Sequence, residues 1–462
     1  LGNSQPSGHG KLKTRHITMI AIGGVIGAGL FVGSSATIAE AGPAIVLTYA
    51  FTGLLVMGVM RLLGEMLLAQ PGKGTFIDYI RCGCGRAMGF TAGWLYALFW
   101  ITAIGEEAIA GAIILQPYTG LPIWILATLL VLAVTLINFT AVGFFGECEF
   151  WLSLIKVVCI IGFCLTAAAF LGVPGIQHRD VMDVLMHHGG ILPHGIGALA
   201  AALPMVLFSM IGSEIATVAA AESQDAPRNL ARVTRTIGAR ITLFYIASLT
   251  LILCIVPWTE IIPGHSPFVS AMETIGIPGA GSLMQIVVFS AVISCMNSSL
   301  FVSARTLWRL GQRHEAPGIL RHMAEEGSAP RAAVIIAGLG GMGTAFSSIL
   351  APNTIFAFLL SATGAIMLFV YLLVVIAHLR MRRAAQKAGT PWQWTAIAFF
   401  PLANYLLIGA IAGVILSMLV STDQRSTIIS TCGTILLTWS FWAFVRHNSK
   451  EPASSPSEEA DL

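Results

Sequence analysis

Charged side chains are costly inside a bilayer, so those that interrupt apolar runs are the first candidates for chemistry. Glu106 and Glu107 follow the run Trp94-Leu95-Tyr96-Ala97-Leu98-Phe99-Trp100, and Lys156 lies in Phe150-Trp151-Leu152-Ser153-Leu154-Ile155-Lys156. Ser213 and Glu214 close the stretch Leu203-Pro204-Met205-Val206-Leu207-Phe208-Ser209-Met210-Ile211-Gly212. Such groups can bind a charged solute or exchange a proton. They do not form a bond-making set. No His-Glu-x-x-His helix, Gly-x-Ser-x-Gly elbow or pair of intramembrane aspartates occurs, so an enzyme is not indicated. Adjacent carboxylates on a helix point about 100° apart, so one of Glu106 and Glu107 at most faces a common site. For that pair a pocket role and a structural role are equally open. Lys156 stands only about a turn and a half into its span. Snorkelling to the nearer surface is therefore its bland alternative.

The backbone adds a second set of reactive groups. Ile20 to Gly33 is apolar, yet carries Gly23, Gly24, Gly27, Gly29 and Gly33. Hydrocarbon offers no partner to a bare N–H or C=O, so a span that unwinds must face protein, water or a solute. Pro204 and Gly212 interrupt the sixth apolar run in the same way. An unwound first span presents N–H groups around Gly23, Val25, Gly27, Ala28 and Gly29, and a helix N-terminus suits a carboxylate. The sixth span would present free carbonyls at Phe208, Ser209, Ile211 and Gly212 to an ammonium. Together they describe a mid-membrane site for a zwitterion. Amino acids need that geometry, whereas sugars and drug-like cations do not. Small-xxx-small packing, Gly23 with Gly27 and Gly29 with Gly33, is the alternative. Two breaks at matching positions favour the site. Because spans one and six are an odd number apart, a repeat relating them is inverted across the membrane.

These groups need long apolar elements to hold them. The chain has 462 residues, 56% hydrophobic and 10% charged, with net charge +3. Its mean hydropathy is +0.82. Soluble domains carry about a quarter charged residues. An all-α membrane protein of about twelve transmembrane helices follows. We place the spans near residues 17–39, 44–69, 88–115, 122–141, 151–172, 196–221, 237–257, 282–308, 332–350, 354–378, 395–418 and 427–446. Residues 1–16 and 447–462 read as tails around a permease domain at 17–446, and no cleavable signal is evident. If the N-terminus is cytoplasmic, the outer loops hold only Arg179 and Arg425. Arg61, Lys156 and Arg305 fall within spans, and every other Lys and Arg lies on the inner side. That bias places both termini in the cytoplasm. It also leaves no strongly basic face for nucleic acid. Arg61 and Glu65 read as a structural pair, and Glu147 and Glu149 as interhelical partners. Cys82 and Cys84 read as free thiols. His187, His188 and His194 share a predicted outer loop without spaced acidic or cysteine partners, so no metal site is expected.

The stretches Ile22-Gly23-Gly24-Val25-Ile26-Gly27-Ala28-Gly29-Leu30-Phe31-Val32-Gly33-Ser34, Ile38-Ala39-Glu40-Ala41-Gly42-Pro43-Ala44, Gly93-Trp94-Leu95-Tyr96 and Gly146-Glu147-Cys148-Glu149-Phe150-Trp151-Leu152 share an order. With Gly212-Ser213-Glu214-Ile215 and Ala219-Ala220-Ala221-Glu222-Ser223, they resemble bacterial amino-acid permeases of the amino-acid/polyamine/organocation superfamily, most of all the 4-aminobutyrate permeases. The resemblance implies the sodium-coupled-transporter type of fold, a five-plus-five inverted repeat with helices 1 and 6 broken. The repeats would cover about 17–172 and 196–378, with two extra C-terminal helices at about 395–446. It implies proton-coupled import of an amino acid by alternating access in the inner membrane, with no cofactor beyond the proton and no obligate protein partner. Lys156 matches the family's fifth-helix lysine, which raises it above snorkelling. Glu107 and Glu214 match the third- and sixth-helix glutamates, as parts of the pocket or gate. Glu106 departs from the pattern, standing where the 4-aminobutyrate permeases are apolar, and points to the pocket or a cationic cargo. Trp308 replaces a usual tyrosine and His314 a usual glycine. An exchanger and a transport-dead sensor are the competing readings.

Overall fold

The computed structural model of the protein describes residues 26–139, 142–172, 180–186, 189–215, 236–238, 240–321, 330–390, 399–422 and 424–448, with single positions at 217, 228, 233 and 392. The expectations for Gly23, Val25, His187, His188 and both tails (apart from 447 and 448) lie outside the described residues. Among the described residues all regular structure is helical. The protein is an all-α membrane protein. Among the described residues, nine helical stretches are long and apolar enough to cross a bilayer, and Ile123–Ile137 and Gly195–Phe208 are shorter apolar helices.

The helices follow the apolar runs. The first span appears as α1, Ala28–Phe31, and α2, Gly33–Ala41, parted at Val32. A 3₁₀ turn at Gly42–Ala44 leads into α3, Ile45–Ala69. Next come α4, Phe76–Cys84, α5, Arg86–Thr119, and α6, Ile123–Ile137. After them stand α7, Val142–Gly172, the short α8, Val181–Met186, and α9, Gly195–Phe208. A π-helical turn at Ile241–Ala247 continues into α10, Ser248–Ile255. The remainder are α11, Pro267–Ile275, α12, Ala280–Gln312, α13, Arg331–Phe346, α14, Pro352–Lys387, α15, Leu402–Val420, and α16, Arg425–Asn448.

Helices α4, α8 and α11 lie where loops were expected. Thr75 begins α4 by a reciprocal cap, its N–H donating to Asp78 Oδ2 at 2.9 Å. The Thr-x-x-Asp spacing carries that signal. Pro267 opens α11 at a position where the missing N–H costs nothing. In addition α14 runs to Lys387, past the expected end at residue 378, because Ala, Gln and Lys are good helix formers once outside the lipid.

Burial sorts the spans into inner and outer layers. The apolar window of α5 is 72% buried and that of α16 only 17%, so α5 is central and α16 faces lipid. α5 packs on α12, α6, α13 and α14. Leu47, Leu54, Leu406 and Leu436 point outward, as lipid rather than water demands. Near one pole the Glu65 carboxylate of α3 accepts from His378 Nε2 at 2.9 Å and Arg382 Nη1 at 3.0 Å, both from α14. Asn404 of α15 joins by a 3.0 Å contact to His378 Nδ1. Arg61 is exposed, so the expected Arg61–Glu65 pair gives way to a network reaching across helices. Beyond α12, His314 adopts φ +57, a left-handed conformation that explains why glycine is usual there.

Candidate functional site

Residues 26 and 27 are not helical, and helix in the first span begins only at Ala28. Gly27 is extended, with φ −135 and ψ −148, and α1 starts after it. Phe31 N–H donates to Gly27 O at 3.2 Å and Val32 N–H to Ala28 O at 2.8 Å. By helix geometry, the N–H groups of Ala28, Gly29 and Leu30 then have no acceptor within their own turn. At the Val32 kink, Ser34 and Ser35 hydroxyls donate to Leu30 O at 2.5 Å and Val32 O at 2.6 Å.

A buried carboxylate fills the place expected to be open. Ala28 N–H donates to Glu107 Oε1 at 3.1 Å and Oε2 at 2.9 Å. The expected free donors are therefore engaged, at least at Ala28. Glu107 reaches them because Trp100, Ala103 and Glu107 recur at helical spacing on one face of α5. A Cβ on Gly27 would collide with Glu107 and come within 2.5 Å of Cys295 Cβ. A Cβ on Gly29 would come within 2.8 Å of Ser209 Cα. Gly29 is thus what lets the two broken segments touch.

The second break lies at the end of α9. Met210 and Ile211 N–H donate to Leu207 O and Phe208 O at 2.9 and 3.3 Å, tightening the turn. Gly212 has φ +102, and helix resumes at Ser213. Here too the expected free carbonyls have partners. Phe208 O accepts from Ile211, Ser209 O from the Tyr245 hydroxyl, and Met210 O from Ser213 at 3.2 Å. Gly212 N–H donates to Glu214 Oε2 at 3.0 Å. Tyr96 and Tyr371 hydroxyls donate to the same carboxylate at 3.0 and 3.3 Å.

Between the breaks lies a cavity of about 20 Å³. Gly27 and Gly29 line it from the first break, and Phe208, Ser209 and Ile211 from the second. Phe99, Trp100, Ala103 and Glu107 of α5 and Cys295 and Ser299 of α12 complete the wall. That volume holds about one water. The site is closed. A larger cavity of about 380 Å³ opens at the α4 pole, lined among others by Lys73, Asp78, Arg81, Tyr96, Arg309 and Glu315. Arg81 grips Glu315 through two 2.7 Å bonds, and Arg313 pairs with Asp78 at 2.5 Å. Aromatic contacts separate the two spaces: Phe76–Tyr96 at 4.8 Å, Tyr96–Trp100 at 6.0 Å and Phe99–Phe208 at 5.8 Å between ring centroids.

Sequence reasoning thus brings Gly27, Gly29, Phe208, Ser209, Ile211 and Glu107 to one wall, with Ala28 and Gly212 at its edges. Glu214 sits in the adjoining tyrosine cluster. Glu106 points elsewhere, beside Thr363 of α14, and both its oxygens lack a partner among the described residues. Its expected place in the pocket is not found. Lys156 does not snorkel: it is fully buried, and its Nζ donates to Ser294 Oγ at 2.8 Å. Phe99, Trp100, Cys295 and Ser299 were not anticipated. The spacing Tyr96, Trp100, Ala103, Glu107 carried a signal for α5, whereas nothing in the sequence marked Cys295. His194 engages Glu40 O at 2.8 Å. Cys82 and Cys84 are free.

Comparison with known proteins agrees with this architecture. The chain matches the amino acid permease family over residues 16–450. It is 38% identical to the gamma-aminobutyric acid permease of Bacillus subtilis, over 98% of this chain and 97% of the relative. Identity to the gamma-aminobutyric acid permease of Escherichia coli K12 is 39%, over 91% of each. The aromatic amino acid transport protein AroP of the same organism is 32% identical, over 90% of this chain and 91% of the relative.

Proposed function

The chain belongs to the amino acid permease family, and on that footing we propose that it imports 4-aminobutyrate or a similar zwitterion with a proton. One observation carries the assignment of the site. A peptide N–H at the first break already binds a carboxylate, through both oxygens of Glu107, in a wall shared with the second break. A cargo carboxylate takes that place. Displaced, the Glu107 side chain turns to the cargo ammonium, which needs an anion in so dry a cavity. Ser209 and Ile211 line the facing wall, where Ile211 O, and Ser209 O beside its bond to Tyr245, offer further acceptors.

Transport follows by alternating access. The closed cavity widens toward the α4 pole when the Tyr96 and Tyr371 bonds to Glu214 give way, and the cargo leaves through the larger space. The charge bias puts that pole and both termini in the cytoplasm of an inner-membrane protein. A bundle built from spans one, two, six and seven rocks against the rest, within repeats at about 17–172 and 196–378 and with the helices near 395–446 added outside them. Proton binding at Lys156 favours one state over the other, which is what coupling requires. The bulk of the aromatic wall suits a small cargo.

Uptake of radiolabelled 4-aminobutyrate into proteoliposomes tests the reading. An imposed inward proton gradient should drive accumulation without internal substrate. Lys156→Ala should abolish that drive while the protein stays folded. Uptake that ignores the gradient and needs internal substrate would instead make the protein an exchanger.

A further inference from the structure

Most of α7 faces lipid: Trp151, Ile155 and Val158 are exposed. Its inward seam is polar. Glu149, Ser153 and Lys156 recur at i, i+4 and i+7, all fully buried. Two opposite charges have been taken out of water on one helix, with Lys156 Nζ and Glu149 Oε1 4.0 Å apart. Ser294 of α12 lies between them. Its hydroxyl accepts from Lys156 Nζ at 2.8 Å and donates to Glu149 Oε1 at 2.5 Å. Next along the chain, Cys295 lines the central cavity.

We propose that Glu149, acting through Ser294, is the positioning residue that holds the Lys156 ammonium in place and thereby shapes the pH profile of uptake. The proposal rests on the reading of Lys156 as the proton carrier. A buried ammonium is costly unless it is paired and hydrogen-bonded, and here a carboxylate and a hydroxyl meet it. Among the described residues, the titratable groups that interact with Lys156 are Glu149 on α7, Glu107 on α5 and Cys295 on α12. α10 and α11 also pack on α7, but their titratable side chains are the half-buried Cys254 and the exposed Glu273. The π-helical turn before α10 brings Tyr245, whose hydroxyl is committed to Ser209 O. Glu149 is therefore the carboxylate tied to the ammonium through one hydroxyl. Its Oε2 lacks a hydrogen-bond partner among the described residues.

The test is the initial rate of radiolabelled 4-aminobutyrate uptake into proteoliposomes against external pH. Without the carboxylate the ammonium loses its anchor, and uptake should need a more acidic medium. Glu149→Gln should move the midpoint toward acid by about one pH unit or more. Glu149→Asp should restore it, and Ser294→Ala should move it less in the same direction. If Glu149→Gln fails to fold, Ser294→Ala decides. Rates scaled down equally at every pH, or an unmoved midpoint in both variants, would overturn the proposal. Should Lys156→Ala keep proton-driven uptake, the reading of Lys156 falls and this proposal with it. Loss of drive in Lys156→Ala beside an unmoved Glu149→Gln midpoint removes the present proposal alone.

Discussion

The two breaks solve the same backbone problem with different partners. At the first, the orphaned N–H of Ala28 is met by Glu107, a carboxylate 79 positions away on another helix. At the second, the Gly212 N–H is met by Glu214, two residues on, which two tyrosines clasp from α5 and α14. A remote partner can leave without dismantling the turn it caps. A local one, held from three directions, cannot. The first break is therefore suited to exchanging one carboxylate for another, and the second to holding a gate shut until several bonds fail together.

Substitutions at the two breaks should separate these roles. The largest effect is expected at Gly27→Leu. A side chain there drives into Glu107 and Cys295, and binding of 4-aminobutyrate should disappear in a scintillation proximity assay, with folding checked by size-exclusion chromatography. Glu107→Gln comes next. It removes an anion from the cargo's ammonium, and hydrogen bonds to charged groups are worth about 1.5–3 kcal/mol, so affinity should fall by roughly tenfold to a hundredfold. Gly212→Ala acts on the second break alone. Its φ of +102 lies where an L side chain is strained, and about 1–3 kcal/mol of stability should be lost, seen as a lower melting temperature. Affinity should change little. The smallest effect belongs to Tyr96→Phe. Losing one of three donors to Glu214 removes about 1 kcal/mol from the gate. The native Cys295, in the central cavity behind that gate, should label about fivefold faster in that background with a thiol reagent supplied from the α4-pole side. Equal binding losses from Gly27→Leu and Gly212→Ala would erase the contrast between the breaks.

Much of this was legible in the sequence, for physical reasons particular to membranes. Lipid forbids bare backbone, so Gly27, Gly29 and Gly212 announce the breaks, whereas helix runs on through Pro204 to Phe208. Buried charge is costly, so Glu107, Lys156 and Glu214 announce themselves as well. What the sequence hides is who meets whom. Whether Ala28 N–H stays free or takes Glu107 depends on the rotation of α5 against α1, which no local pattern records. Glu106 illustrates the same limit: one residue from Glu107, it turns to α14 instead. The Glu65–His378–Arg382 network replaced a plausible i, i+4 pair with Arg61, because a partner across helices gave the carboxylate a drier and better-bonded place. Cys295 and Ser299 line the cavity merely as small residues on the face of α12 that meets it.

The most direct test is a structure of the protein determined with 4-aminobutyrate bound. The cargo carboxylate should lie within about 3.2 Å of the Ala28 N–H, with Glu107 withdrawn from it and turned to the ammonium. Glu107 still bonded to Ala28 while the cargo sits elsewhere would contradict the account.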